Sequence, residues 1–443
     1  MGLFKHSAFI VPLRELLRTY VVTSNIPQSE HHKILIVGGG TGGITMASRL
    51  SSKLPSGEVT VIEPSGIHYY QPLWTLVGAG IRTLDESRRP TSSLIPHGTT
   101  WIQDHVTKME PEHSRLYLSN GKLLSYDYLI LALGLTLRYD LVPGASEALE
   151  QDPRVCSNYS PKYVLKTFEA FKGFTKGHAV FTLPSGPIKC AGAPQKVMYL
   201  FEHYLRKTGK RDGAELEYFT AIPQMFSVNK YSRSLANICE KRNIKYNALH
   251  NLVNVNHKKS ELEVEHVNTK ERRTLTYDFL HITPPMSSPD VLKQTSKLTN
   301  PQASDYVDVD AHTLKHKLFN NIFAIGDCAA LPTSKTAAAV SSQSKVLEEN
   351  LLDMLNGGKG DIAKYDGYTA CPLITSYNHG VLAEFAYDNV VMETSPFDQS
   401  KERAWHYFAK AVIMPTLYWD YLLKGRWSGP KTLRKLLHLG LCK

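Results

Sequence analysis

The segment HKILIVGGGTGGITMASRL, residues 32–50, constrains this chain more than any other. Lys33 to Val37 reads as a short apolar strand, Gly38, Gly40 and Gly43 stand in GxGxxG spacing around Thr41 and Gly42, and ITMASRL continues as a helix. Glycines there permit a tight turn and a close approach of backbone to a pyrophosphate. The helix N-terminus adds free N–H groups and partial positive charge. Glycine spacing alone is weak, but the next strand, EVTVIEP, ends in Glu63, twenty residues beyond Gly43, where a carboxylate can bind the hydroxyls of an adenosine ribose. Strand, turn, helix, strand and acid together predict a dinucleotide-binding α/β unit.

A remote segment, NNIFAIGDCAALPTSKTAAAVSSQS, points to FAD rather than NAD. Its strand from Ile322 to Ile325 delivers Gly326 and Asp327 to a turn, and a helix is expected to start near Ser334–Thr336. The segment resembles flavoproteins with two dinucleotide-binding domains, in which the Gly-Asp turn meets the ribityl and pyrophosphate part of FAD. There the following helix aims its N-terminus at the flavin. Helped by Lys335, such a helix start would stabilise negative charge on a reduced ring. Cys328 reads as a small packed residue rather than a redox centre.

A length of 443 residues suits two intimately packed domains. The middle of the chain repeats the strand and helix pattern, with HAVFTLP, a helix through APQKVMYLFEHYLRK, the strand LEYFTAIP, a helix through SRSLANICEKR, and YDFLHITPP. Where a second GxGxxG would bind NAD(P)H, the first of these strands leads instead into PSGPIKCAGAPQK, with Pro184 and Pro187 fixing φ and Cys190 at its centre. A nicotinamide-type scaffold without its nicotinamide must receive electrons from another donor. The fold class expected is α/β, with two Rossmann-like domains of the disulfide-oxidoreductase flavoprotein type and a C-terminal membrane-associated helical region. The boundaries expected are a mitochondrial presequence over 1–32, the first part of the FAD domain over 33–150, the second Rossmann-like domain over 151–290, the rest of the FAD domain over 291–370, and the C-terminal region over 371–443.

The presequence reading rests on Lys5, Arg14 and Arg18 among hydroxyl residues, opposed only by Glu15 before Glu30. The net charge of +10 is concentrated at the end: Lys401 to Lys443 holds nine Lys or Arg against Glu402 and Asp420, interleaved with Trp405, Tyr407, Phe408, Tyr418, Trp419, Tyr421 and Trp427. That mixture suits a lipid headgroup boundary rather than a DNA groove. Pro415 is expected to break the tail into two short helices and Gly429-Pro430 to start a third. Helices that dip into one leaflet are weighed against helices that form a homodimer interface. No run reaches the ~18 apolar residues of a membrane-spanning helix. Six cysteines without a CxxC pair exclude a disulfide scaffold, a zinc ribbon and a thioredoxin-type centre, and no metal is expected. Cys371, in YDGYTACPLITSYN, is the candidate partner for Cys190; each sits among Gly, Pro or Ala, as in an exposed tight turn.

The segments KCAGAPQK, FAIGDC, PTSKTAAAV and YDGYTACPLITSYN together resemble the eukaryotic, mitochondrial type of sulfide:quinone oxidoreductase, including its fungal heavy-metal-tolerance members. The resemblance runs from about Lys33 into the tail. It implies a redox-active disulfide at Cys190 and Cys371, and positions lining FAD at Thr41, Gly42, Glu63, Gln71, Val106, Asp327 and Lys335. It also implies oxidation of hydrogen sulfide through that disulfide, with persulfide passed to glutathione, sulfite, cyanide or a second sulfide, and electrons passed from FAD to ubiquinone. A quinone acceptor would place the enzyme on the mitochondrial inner membrane as a peripheral or monotopic protein. Lys189 and Lys196 are available to lower a thiolate pKa. The competing readings are a type II NAD(P)H:quinone dehydrogenase, which needs the absent middle GxGxxG, and a non-catalytic FAD-binding redox sensor.

Overall fold

The computed structural model describes residues 29–441, so most of the expected presequence lies outside the described residues. The chain opens with strand β1 (Glu30–Val37), helix α1 (Thr41–Ser51) and strand β2 (Val59–Ile62), followed by β3 (Thr99–Ile102), β4 (Val106–Glu110), β5 (Arg115–Leu118) and β6 (Leu123–Leu131). Ile34, Leu35 and Ile36 are fully buried, as expected for a parallel strand covered on both faces.

A second sheet then forms from β7 (Val155–Cys156), β8 (Gly177–Leu183), β9 (Ala214–Thr220), β10 (Ile244–Ala248) and β11 (Phe279–His281). It is parallel throughout, in the order β7-β11-β8-β9-β10. Its helices α2 (Ala193–Lys207) and α3 (Asn229–Lys241) return the chain from β8 to β9 and from β9 to β10. The chain then goes back to the first sheet with β12 (Ile322–Ala324), which pairs parallel with β6. The first sheet therefore reads β3-β2-β1-β6-β12 as a parallel core, with β5 and β4 added antiparallel at β6. The second unit is thus an insertion in the first.

Helix α4 (Ala337–Leu355) follows β12, capped by the Thr336 hydroxyl, which accepts from Ala339 N–H at 3.0 Å. A hairpin of β13 (Thr369–Ile374) and β14 (Gly380–Phe385) comes next, pairing Cys371 with Ala383. Cys371 is therefore a strand residue, 3 % exposed, and not part of an exposed turn. Its small-residue surroundings serve close packing rather than a bend.

The tail also departs from expectation. Residues 404–422 form one helical stretch that passes through Pro415, alternating α and π turns. Proline removes the N–H that would bond the carbonyl four residues back and crowds it. Here the wider π turns make room, and Arg82 Nη2 donates to the freed Ala411 carbonyl at 3.0 Å. The stretch is amphipathic. Tyr418, Trp419, Leu422 and Leu423 are buried against protein, whereas Trp405, Phe408, Val412 and Tyr421 are exposed. The basic helix Lys431–Leu437 follows Pro430 as expected. Among the described residues no helix is long and apolar enough to cross a membrane.

Candidate active site

Two of the loop glycines are dictated by packing. A Cβ on Gly38, whose φ is +104°, would lie 2.4 Å from the Ala132 carbonyl oxygen, and one on Gly43 would lie 1.7 Å from the Gly38 carbonyl oxygen. Gly40 faces open space, the side from which a ligand can approach the bare backbone at the start of α1. Glu63 reaches this loop: one carboxylate oxygen accepts from Gly39 N–H at 2.6 Å and the other from Ser65 N–H at 2.7 Å. Each oxygen keeps a lone pair for a ribose hydroxyl.

The second motif converges on the first. Gly42 packs against Ile325, and beyond it Gly326, Asp327, Lys335 and Thr336 line one cleft. Lys335 Nζ donates to the carbonyls of Asp327 and Ala329 and lies 3.9 Å over the Tyr306 ring. Gln71 starts a short turn whose side chain accepts from Lys189 Nζ at 2.8 Å. Val106 opens β4 with its side chain in the core beside Val37 and Ile62. An open glycine, a half-satisfied acid and a second cleft at a helix start fit the pyrophosphate, ribose and ribityl chain of FAD.

The cysteine loop lies against this cleft, since Lys189 forms a β-bridge with Lys335. Cys190 has φ +81°, a left-handed conformation that disfavours any side chain. Its carbonyl is held by Ala193 N–H at 2.7 Å and by the Tyr159 hydroxyl at 3.2 Å. Gly192 explains the small residues beside it: a Cβ there would lie 2.4 Å from Leu373 Cδ2 and 3.0 Å from Cys371 Sγ. The loop can seat on β13 only without that side chain, and this seating brings Cys190 to Cys371.

Electrostatics separate the two thiols. A hydrogen bond with Cys371 is the largest influence on Cys190; together with the Lys196 and Lys410 charges it overcomes burial and holds the Cys190 thiol well below the ordinary range. Cys371 is pushed well above that range, first by the same bond and then by burial. Of the two sulfurs, Cys190 is the one with an ammonium directly on it and so the one placed to carry negative charge. Lys196 Nζ donates to Cys190 Sγ at 3.4 Å, and although burial works to discharge this lysine, the two sulfurs, Cys190 first, hold it above its ordinary value. Lys189, expected to share this task, is turned away to Gln71. Its place is taken by Lys410, 1 % exposed on the tail helix, whose ammonium donates to the Pro72 carbonyl at 2.7 Å. Burial and then Lys196 lower its pKa to about 7, against the two sulfurs.

Lys410, Tyr159 and Gly192 were not singled out in the sequence. Only the repeated small residues of CAGAP carried a signal for the last. The remaining described cysteines are inert: burial pushes Cys156 up to about 12, and Cys239 and Cys328 up to about 11. Among the described residues one group, His178, Glu215 and Glu217, is close enough to share a metal ion. Its carboxylates are already compensated by Lys245, Asn247 and Arg273.

Residues 32–164 match the pyridine nucleotide-disulphide oxidoreductase family. The chain is 48 % identical to the mitochondrial sulfide:quinone oxidoreductase of Mus musculus over 412 residues, spanning 93 % of this chain and 90 % of that protein. The chain belongs to the mitochondrial sulfide:quinone oxidoreductase family. The Dictyostelium discoideum member of that family is 44 % identical over 90 % of this chain and 88 % of its own. The solved sulfide:quinone oxidoreductase of the hyperthermophilic bacterium Aquifex aeolicus superposes with a TM-score of 0.75 at 19 % identity, covering 93 % of this chain and 96 % of that one, so the two share a fold. Members of this family are FAD-binding flavoproteins, which agrees with the fit of the glycine loop and the second cleft.

Proposed function

We propose that this protein oxidises hydrogen sulfide at the Cys190–Cys371 pair and delivers the electrons to ubiquinone, in mitochondria. The observation that carries the reading is the juxtaposition of two cysteines from distant parts of the chain, with the Lys196 ammonium on one of them, beside the cleft that fits FAD. In the oxidised pair, hydrosulfide attacks Cys371, a Cys371 persulfide forms, and Cys190 leaves as the thiolate. This direction follows from thiol chemistry, because the sulfur with the lower pKa is the better leaving group and Lys196 is already positioned to receive its charge. A nucleophilic acceptor such as glutathione, sulfite, cyanide or a second sulfide then takes the outer sulfur and leaves Cys371 as a thiolate. Joining the two thiolates again as a disulfide releases two electrons. FAD, when bound, supplies a two-electron acceptor that can pass these to quinone. We assign Gly38, Gly40, Gly43 and the main chain of Thr41 and Gly42 to its pyrophosphate, Glu63 to its ribose, and Gly326, Asp327, Lys335 and Thr336, with Gln71 and Val106, to the remainder.

The same reading places the tail on a lipid surface. Trp405, Phe408 and Val412 on one helix and Leu433, Leu436 and Leu437 on the next are exposed. With Lys and Arg around them they suit insertion into one leaflet. Cys190→Ser and Cys371→Ser are expected to retain FAD and to lose sulfide-driven quinone reduction by at least about a hundredfold. Near-normal turnover in either variant would contradict that cysteine's role.

A further inference from the structure

The tail helix makes its most specific polar contacts with the glycine loop. The Tyr418 hydroxyl lies 2.9 Å from Thr41 Oγ1 and 2.6 Å from His68 Nε2, while His68 Nδ1 lies 3.1 Å from the Gly39 carbonyl oxygen. His68 and Tyr418 are 5 % and 2 % exposed, so water does not replace these partners. The directions of the bonds are fixed by what each group can do. A carbonyl only accepts, so Nδ1 carries the hydrogen and donates to Gly39. The buried ring is neutral, so Nε2 accepts and Tyr418 donates to it. The Tyr418 oxygen can then only accept, and the Thr41 hydroxyl proton is committed to it.

The attachment continues along α1. Ser48 Oγ donates to the Leu423 carbonyl at 2.6 Å, and Arg49 Nη2 donates to the Trp427 carbonyl at 3.0 Å and to Ser428 Oγ at 2.5 Å. At Gly425, φ +71° lets the tail backbone approach so closely that a Cβ would lie 3.0 Å from Arg49 Cγ. One face of the helix that begins at the glycine loop therefore holds residues 418–428 from its first turn to its last.

We propose that Thr41, Tyr418 and His68 form a latch through which FAD retention and docking of the tail stabilise each other. This rests on the reading that the glycine loop holds the FAD pyrophosphate. Thr41 meets that group through its main-chain N–H and spends its hydroxyl on Tyr418. The chain Thr41–Tyr418–His68–Gly39 holds two residues of the loop in their binding conformation only while the tail is seated. Linkage makes the effect reciprocal: whatever tightens the loop also tightens the tail, by ~5- to 100-fold in either equilibrium.

The test compares flavin-loaded wild type with Tyr418→Phe, Thr41→Val and Thr41→Ser, reading flavin release by fluorescence and tryptic cleavage after Lys424 or Arg426. Tyr418→Phe and Thr41→Val are expected to release flavin ~5- to 100-fold faster. Stripping FAD from wild type should accelerate cleavage by a similar factor, and in these two variants cleavage should become largely independent of FAD. Thr41→Ser, which keeps the hydroxyl, should behave as wild type on both measures. Wild-type flavin release by Tyr418→Phe would overturn the proposal, as would flavin loss in Thr41→Val without any in Tyr418→Phe, which would give the Thr41 hydroxyl to FAD directly. Unchanged flavin release in a Gly40→Asp control would overturn the assignment of the loop, and the latch with it.

Discussion

Cys190 sits in a backbone conformation that costs a side chain of order 1–3 kcal/mol, beside a buried lysine that stabilises its charge. Strain and a buried ion pair are both costs to folding, and both are intelligible if the sulfur must be held in one place as a thiolate. Lys196→Met removes the direct partner and leaves burial unopposed on that side. Its Cys190 pKa should rise, and alkylation of the reduced protein by iodoacetamide near pH 7 should slow ~10- to 100-fold, the worth of a charge-assisted hydrogen bond of about 1.5–3 kcal/mol. An alkylation pH profile matching wild type would contradict this. Two histidines set a second expectation. His281 is wholly buried and its Nε2 accepts from Asn158 N–H at 3.1 Å; burial lowers its pKa to about 3, and that of His68 to about 4. Both folded values lie below the unfolded value near 6.5, so the unfolded chain binds more protons below that pH and stability falls as pH drops from about 6.5 towards 4. Between pH 7.5 and 5.5 each histidine should cost about 1.4 kcal/mol, read as a lower denaturant midpoint, and a flat profile over that range would contradict it.

At the scale of elements, patterning in the sequence carried far where local rules dominate. The helix through APQKVMYLFEHYLRK coincides with Ala193–Lys207, the glycine turn and the Gly-Asp turn lie where the spacing put them, and the helix expected to start near Ser334–Thr336 begins just after Thr336. Patterning failed where one element depends on a distant one. Pro415 looks like a break because its own turn has no partner for the Ala411 carbonyl; that partner is Arg82, more than three hundred residues earlier. Tyr418 and Trp419 read as lipid-facing aromatics because nothing nearby shows that the Tyr70 ring packs, tilted by 34°, 4.3 Å from the Tyr418 ring and that Arg89 lies 4.6 Å over Trp419. Arg82→Met leaves the Ala411 carbonyl without its donor at a cost of about 1–3 kcal/mol. Proteolysis within residues 404–422 should accelerate ~5- to 100-fold, and unchanged cleavage would show that the π turns alone support the proline.

At the scale of the whole molecule, the candidate site is assembled from parts that share no local pattern. Cys190 and Lys196 come from the inserted second sheet and its first helix, Cys371 from the hairpin after α4, and Lys410 from the tail helix. Sequence could mark the two cysteines through the resemblance of their surroundings. The seating of Gly192 on Cys371 and the arrival of Lys410 depend on how the two sheets and the tail close together. That closure brings Cys190 and Cys371 together at the loop where a second glycine fingerprint would stand, and the electron donor we propose follows from it. The most direct test mixes the purified yellow protein anaerobically with sulfide and, separately, with NADH, and follows flavin absorbance. Sulfide should bleach the flavin and NADH should leave it unchanged; bleaching by NADH with no response to sulfide would contradict the account.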